Sequence, residues 1–405
     1  MEGAMLQFSS GFSTGVNSKL AAQECVELAL GEGGGADCSL LVLHSTVGHN
    51  FGQAIAAARE ACPNAQVIGC TGSGVIGREG VSENMRSMAL MAMEGDEFAV
   101  ASSEGLNSQN SREMGASVAQ QLKDARSGIS LIYILTSGLD LCGDDVIAGI
   151  ESVYGQDVPI FGATSADNGK ALKTFQFHDD SVMEHGIVLV GFADPSLELV
   201  LGVHHGSIPL EGMKFTVTKS SGNRIEELDG QPAWPNLMSK VGLPPDTRPD
   251  EAMAIVGLGV NLSPEDQEAY DNPQILRVPL TTSEDHQAFF WPVRCEEGTE
   301  VVLMQRDEQL IFEGVDRMMD RMDKELNGRK PVAVFQADCM ARGRLMFNRV
   351  LKDEIIAKMQ YPLCGEEIVP WLGVYGYSEY APINGKNLFH SYTTSLFTLV
   401  HREGA

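Results

Sequence analysis

Asp338, Cys339, Arg342 and Arg344 fall in one short stretch, Asp338-Cys339-Met340-Ala341-Arg342-Gly343-Arg344. A thiol beside two guanidinium groups and a helix start would lose its proton easily, although Asp338 opposes this. Each guanidinium would also clasp a carboxylate through paired N–H bonds. The competing assignments are a buried turn thiol and arginines paired with Asp353, Glu354 or Glu379. Glu379 follows Tyr375 and Tyr377, so it would accept a ligand's amino group between tyrosine walls, or else close a turn through backbone N–H groups. Asp167 sits in a second loop of small residues, as a pocket acid or a turn residue. Cys70-Thr71-Gly72-Ser73-Gly74 would cradle an anion on backbone N–H groups, with Cys70, Thr71 and Ser73 facing the ligand. No Gly-Lys-Ser/Thr follows, which speaks against nucleotide.

Covalent catalysis is weakly supported. Ser73, Ser165 or Cys339 would be the nucleophile and His44 or His390 the base, but nothing fixes a third orienting group. Gly72-Ser73-Gly74 lacks the spacing of a nucleophile elbow. A cysteine- or serine-dependent hydrolase therefore stays an alternative, and an enzyme is the less favoured class. His44, His390 and the pair His204-His205 would be axial ligands if haem were bound. Otherwise no cofactor is expected. The eight cysteines form no Cys-x-x-Cys, which removes the commonest zinc pattern.

The elements that must position these groups read as α/β. Apolar alternation and helical periodicity give strand 5–9, helix 18–30, strand 40–44, helix 51–61, strand 66–69 and strand 85–93. The order returns as strand 98–102, helix 111–123, strand 131–135, helix 144–153 and strand 159–162. Two strands expected to pair with each other, 172–177 and 186–192, complete that unit. A third unit reads as strand 300–305, helix 308–326, the apolar run 332–337 ending in Asp338, helix 345–359, strand 369–375, and end strands 388–390 and 394–400. Three strands close on glycine before small or hydroxylated residues: Val67-Ile68-Gly69-Cys70, Pro159-Ile160-Phe161-Gly162 and Pro370-Trp371-Leu372-Gly373. The fold class is thus repeated β-α-β-α-β(β) units forming mixed sheets with helices packed on them. Two tandem domains are expected, 1–200 (units about 4–95 and 97–192) and 201–405 (an inserted segment about 201–294 and a unit about 300–400).

A net charge of −26 with no basic tract disfavours nucleic acid and anionic membrane as partners. No apolar run reaches the roughly 18 residues of a membrane span, and Met1–Met5 lacks a signal peptide's basic and apolar regions. A cytoplasmic protein without membrane insertion is expected.

The chain resembles the FIST family, with an N-terminal and a C-terminal FIST domain. The residues that carry the likeness are Val67–Gly74, Phe161–Asp167, Val217-Thr218-Lys219, Asn223 with Leu228-Asp229-Gly230-Gln231-Pro232, Cys339-x-x-Arg342-Gly343, Gly376-Tyr377-Ser378-Glu379 and Phe389–Thr393. Ser378-Glu379 stands where the family often has Gly-Glu. The resemblance implies a sensory module that binds a small ligand such as an amino acid. It also implies signalling through a histidine kinase or a cyclic-dinucleotide enzyme in trans, here as a stand-alone sensor without an F-box or fused output domain. One branch resembles haem-based nitric oxide sensors, so a haem-binding sensor is the rival expectation.

Overall fold

Polar caps start the helices where the periodicity places them. Asn17, Asn50 and Asp307 accept backbone N–H bonds from Leu20, Gln53 and Leu310 at 3.1, 3.0 and 2.8 Å. The helix Glu308–Leu326 buries Ile311, Val315, Met318, Met322 and Leu326, spaced to lie on one face, and ends at Asn327 in a left-handed conformation. The computed structural model describes residues 5–252, 255–343, 349–365 and 367–402. Arg344 lies outside these residues.

Three six-stranded mixed sheets share one plan. In each, the middle strands run parallel: Cys38–Thr46 with Gln66–Gly72, Leu131–Thr136 with Ile160–Thr164, and Pro331–Cys339 with Trp371–Gly376. The unit's last strand and then its first complete one side antiparallel. The other side is filled by a hairpin from a different unit. The hairpin Val75–Gly77/Gly80–Ser82 of the first unit pairs with Trp371–Gly376 of the third. The second unit's hairpin, Gln176–His178/Ser181–Met183, pairs with Gln66–Gly72 of the first. The third unit's hairpin, Glu379–Ile383/Lys386–His390, pairs with Ile160–Thr164 of the second. The exchange is cyclic, so the three units close into a ring. Their facing sides meet in an aromatic core, where Phe161 lies 5.1 Å from Phe397 and Tyr133 lies 4.9 Å from Phe335 between ring centres. The helices cover the outer sides.

The structure revises two sequence expectations. Residues 172–177 and 186–192 do not pair with each other: Gln176–His178 joins the first unit's sheet, while Gly186–Phe192 pairs with Phe98–Glu104 and Leu131–Thr136. Alternation predicts strands but carries no partner information, which is why the exchange is invisible to it. The third unit's first strand is Leu197–His204, paired with Thr394–His401, and not 300–305. Glu300–Arg306 instead pairs with Ser207–Ser221 and Gly257–Asn261 in an antiparallel sheet built from the inserted segment. A boundary at residue 200 would cut through Leu197–His204. The insertion lies between the third unit's first strand and its first helix, bringing the helix Pro264–Tyr270 and the strand Gln274–Arg277 over that unit.

Candidate ligand site

The third unit's first parallel strand ends at Cys339, and one 3-10 turn, Met340–Arg342, folds Arg342 back beneath it. Arg342 is only 2% exposed. Its Nε donates to Asp338 Oδ1 at 3.0 Å and one terminal nitrogen donates to the His205 carbonyl at 3.1 Å. Nη2 has no partner. Gln336 braces the second carboxylate oxygen of Asp338 at 3.3 Å and is held in turn by the Trp371 indole N–H at 3.0 Å. Burial pushes the Asp338 carboxyl up to about 6, against the lowering influence of Arg342 and the hydrogen bonds.

Glu379 opens the third hairpin and is fully buried. One oxygen, Oε2, accepts from the Thr393 hydroxyl at 2.6 Å and the Thr393 N–H at 3.3 Å. The other, Oε1, has no partner among the described residues. Burial raises the carboxyl well above the usual range, and the neighbouring Asp338 charge adds to this. His390 is its cross-strand partner. Its Nε2 faces the Ala381 carbonyl at 2.9 Å, and a carbonyl only accepts, so Nε2 bears the hydrogen and Nδ1 is a bare acceptor. Nδ1 too is unpartnered among the described residues. Tyr270, from the inserted segment, closes the group: its ring centre lies 5.5 Å from that of His390 and 5.4 Å from that of His205. The Tyr270 hydroxyl has no partner among the described residues, and burial followed by the Glu379 charge pushes the phenol upward. On its outer side Tyr270 lines a cavity of about 290 Å³ with Leu201, Val203, Met318 and Ile383. Four polar groups in this part of the core therefore keep unmet hydrogen-bonding capacity among the described residues, where most buried polar atoms are satisfied.

Most of the other expected residues lie near the same strand ends and are engaged in holding the fold. Asp167 accepts from the Tyr377 hydroxyl at 2.6 Å and from four backbone N–H groups of residues 170–173. Burial alone would raise its pKa, but these bonds hold it below the usual carboxylate value. Thr71 and Ser73 stitch the ring, Thr71 to Phe175 of the second unit and the Ser73 backbone N–H to the Tyr375 carbonyl of the third, while the buried Ser73 hydroxyl has no partner among the described residues. The Cys70–Gly74 stretch is strand and hairpin approach, not an open cradle. Cys339 departs from the thiolate expectation. It is buried against the Tyr377 carbonyl, and burial, then Glu379, pushes its thiol pKa up. Native Cys339 should therefore resist iodoacetamide at neutral pH and be modified only after denaturation, which peptide mass mapping would show. Native labelling would restore the reactive reading.

For haem the donor set fits poorly at His44, whose ring nitrogens face the Tyr133 hydroxyl at 3.0 Å and the Cys70 thiol at 3.5 Å. His390 retains one free nitrogen, deep in the core. Among the described residues no cluster of three or more His, Cys, Asp or Glu is arranged to hold a metal ion. No described helix is long and apolar enough to cross a membrane.

Sequence reasoning missed Tyr270, Gln336 and the carbonyl role of His205. Thr393 lay in a quoted motif without a role. Nothing near Tyr270 in the chain marks it, because it reaches the site only through the insertion.

Comparison with known proteins finds two family matches in the chain. The FIST N domain matches residues 39–231 and the FIST C domain matches 239–382. Two curated relatives, uncharacterized proteins Mb0898c of Mycobacterium bovis and MT0897 of Mycobacterium tuberculosis, are each 27% identical over 227 residues. That stretch is 55% of this chain, which thus spans little more than half, 56%, of either relative's length. Among solved structures, T. maritima PurL complexed with AMPPCP aligns over 98% of this chain and 72% of that one, at 9% identity and a TM-score of 0.22. PurL complexed with FGAR aligns over the same shares at 7% identity and the same score. Likeness at that level carries no argument.

Proposed function

The chain belongs to the FIST family, with FIST N and FIST C domains in tandem, and on that premise we propose that it is a cytoplasmic sensor of a small organic acid or amino acid. The ligand sits among Arg342, Glu379, His390 and Tyr270. One observation carries this reading: Arg342 Nη2 and Glu379 Oε1, both deeply buried, have no partner among the described residues. A buried guanidinium with a free donor is matched by a carboxylate, and the orphaned polar groups cost free energy until something meets them. FIST domains are sensory signalling domains, and no catalytic relay is assembled among the described site residues. Occupancy is therefore read by a separate enzyme, a histidine kinase or a cyclic-dinucleotide enzyme. The third hairpin is the natural relay, since it carries Glu379 and His390 while pairing with the second unit's sheet.

A thermal-shift screen of the full chain against amino acids and small carboxylates tests this. A ligand at about 100 times its Kd adds roughly 2.7 kcal/mol to stability, a readable rise in Tm. That rise should vanish in Arg342→Lys, which keeps the charge and loses the planar fork. A wild-type chain that responds to none of them would overturn the reading.

A further inference from the structure

The ring contains its own control for Glu379. Gly69 and Gly162 occupy matching places in their strands, and the residues after them, Cys70 and Ala163, oppose Gln176 and Glu379 of the incoming hairpins. Gln176 is thus the second unit's counterpart of Glu379. The match extends to hydrogen bonds. Gln176 Oε1 accepts from the Gly186 N–H at 2.6 Å, as Glu379 Oε2 accepts from the Thr393 N–H at 3.3 Å. Gly186 and Thr393 are themselves equivalent, their carbonyls receiving the N–H groups of Ser137 and Cys339 at 2.8 and 2.9 Å. The copies then diverge. Gln176 donates its Nε2 to the Ser165 hydroxyl, so both ends of the amide are satisfied. Ser165 lies three residues after Gly162, where the third unit, counted from Gly373, has Gly376. Gly376 offers no side chain to meet Glu379, whose Oε1 has no partner among the described residues.

The fold accepts an amide at this place. An acid there is the dearer choice, being fully buried with one oxygen unmet. Resting on the proposed site, we infer that Glu379 makes it selective for ligands bearing a protonated amine. The ammonium donates to Glu379 Oε1 and His390 Nδ1, while the ligand's carboxylate meets Arg342. On binding, the Glu379 O–H bond breaks: its proton leaves to solvent, and the carboxylate so formed pairs with the ligand's N–H₃⁺. The other charged or titratable groups around Glu379 are Asp338 and Arg342 on the adjacent strand end, Cys339, and Tyr270 from the insertion. Burial favours the protonated form of the free-state carboxyl, so affinity should rise with pH.

The test is calorimetry of the full chain with each L-α-amino acid and its desamino acid, such as alanine with propionate. The expected result is an amino acid that binds about 100-fold more tightly than its desamino partner. Titrations in two buffers of different ionisation heat should report about one proton released per ligand. In Glu379→Gln, which copies Gln176, selectivity and proton release should both disappear while the circular-dichroism spectrum is kept. Wild-type binding without proton release would refute the assignment even if the variant failed to fold. If amino and desamino acids bind alike, this inference falls and the site reading stands. If neither class binds wild type, the site reading fails and takes this one with it.

Discussion

Asp338→Ala should lower stability at pH 7 by roughly 3–5 kcal/mol, measured as a fall in the urea midpoint. The loss arises less from the vanished ion pair than from what it leaves. Arg342 cannot shed its proton, is sealed from water, and would keep only the His205 carbonyl as a partner. Asp338→Leu combined with Arg342→Met should recover most of the loss, because an apolar pair of similar volume has no charge to desolvate. The double variant should still bind nothing, which separates the pair's role in the site from its role in the fold. The pH dependence has a definite sign. The folded-state Asp338 carboxyl lies at about 6, above its ordinary 3.8, so the folded chain holds this proton more tightly than the unfolded one. Its contribution is fully present below about pH 4 and is lost as pH rises through about 6. Relative to Asp338→Asn, wild type should therefore lose stability between pH 4 and pH 7. A difference that is flat over that interval would contradict the shift.

The sequence announced the repeat, the strand-ending glycines and the corner at Asp338 because each leaves a local mark: periodicity, a small residue, a charge in an apolar run. Partner choice leaves none. Val75-Ile76-Gly77 looks the same whether it returns to its own sheet or crosses to the third unit's, so the cyclic exchange was hidden. Insertion hid the rest. With Ser207–Arg306 placed between the third unit's first strand and its helix, the apolar strand Glu300–Arg306 stood where a first strand was expected. For the site, charged residues were legible and their state was not. Arg342 found its acid four residues back at Asp338, not at Asp353, Glu354 or Glu379. Cys339 sat near cations in sequence but became a neutral thiol once burial was known. Burial decides protonation, and sequence spacing reports burial poorly at strand ends.

Gly69→Ala and Gly162→Ala should each abolish soluble folded protein, or cost more than about 4 kcal/mol where any survives. Gly69 has φ +156° and Gly162 φ +149°, a region that residues with a side chain rarely adopt. A Cβ at Gly69 would come within 1.8 Å of the Leu43 carbonyl oxygen, and one at Gly162 within 2.0 Å of the Ile134 carbonyl oxygen. Neither neighbour can retreat, since each is backbone of the adjacent parallel strand whose registry holds the sheet. These glycines also sit where the foreign hairpin docks, Phe177 opposite Gly69 and Tyr380 opposite Gly162, so distortion there opens the ring itself. Gly373 is the third copy, yet it has no left-handed φ, and a Cβ there would meet side-chain atoms of Ile76 and Gln336 at 2.9 and 3.0 Å. These approaches are tight but longer than those at Gly69 and Gly162, and no left-handed φ has to be kept. Gly373→Ala should accordingly leave a folded chain with a lower Tm, while its two counterparts do not accumulate. Expression of the three variants side by side, followed by thermal melts of what is soluble, checks the ranking. Equal tolerance at all three positions would show that the glycines merely end strands and that the docking of the exchanged hairpins does not depend on them.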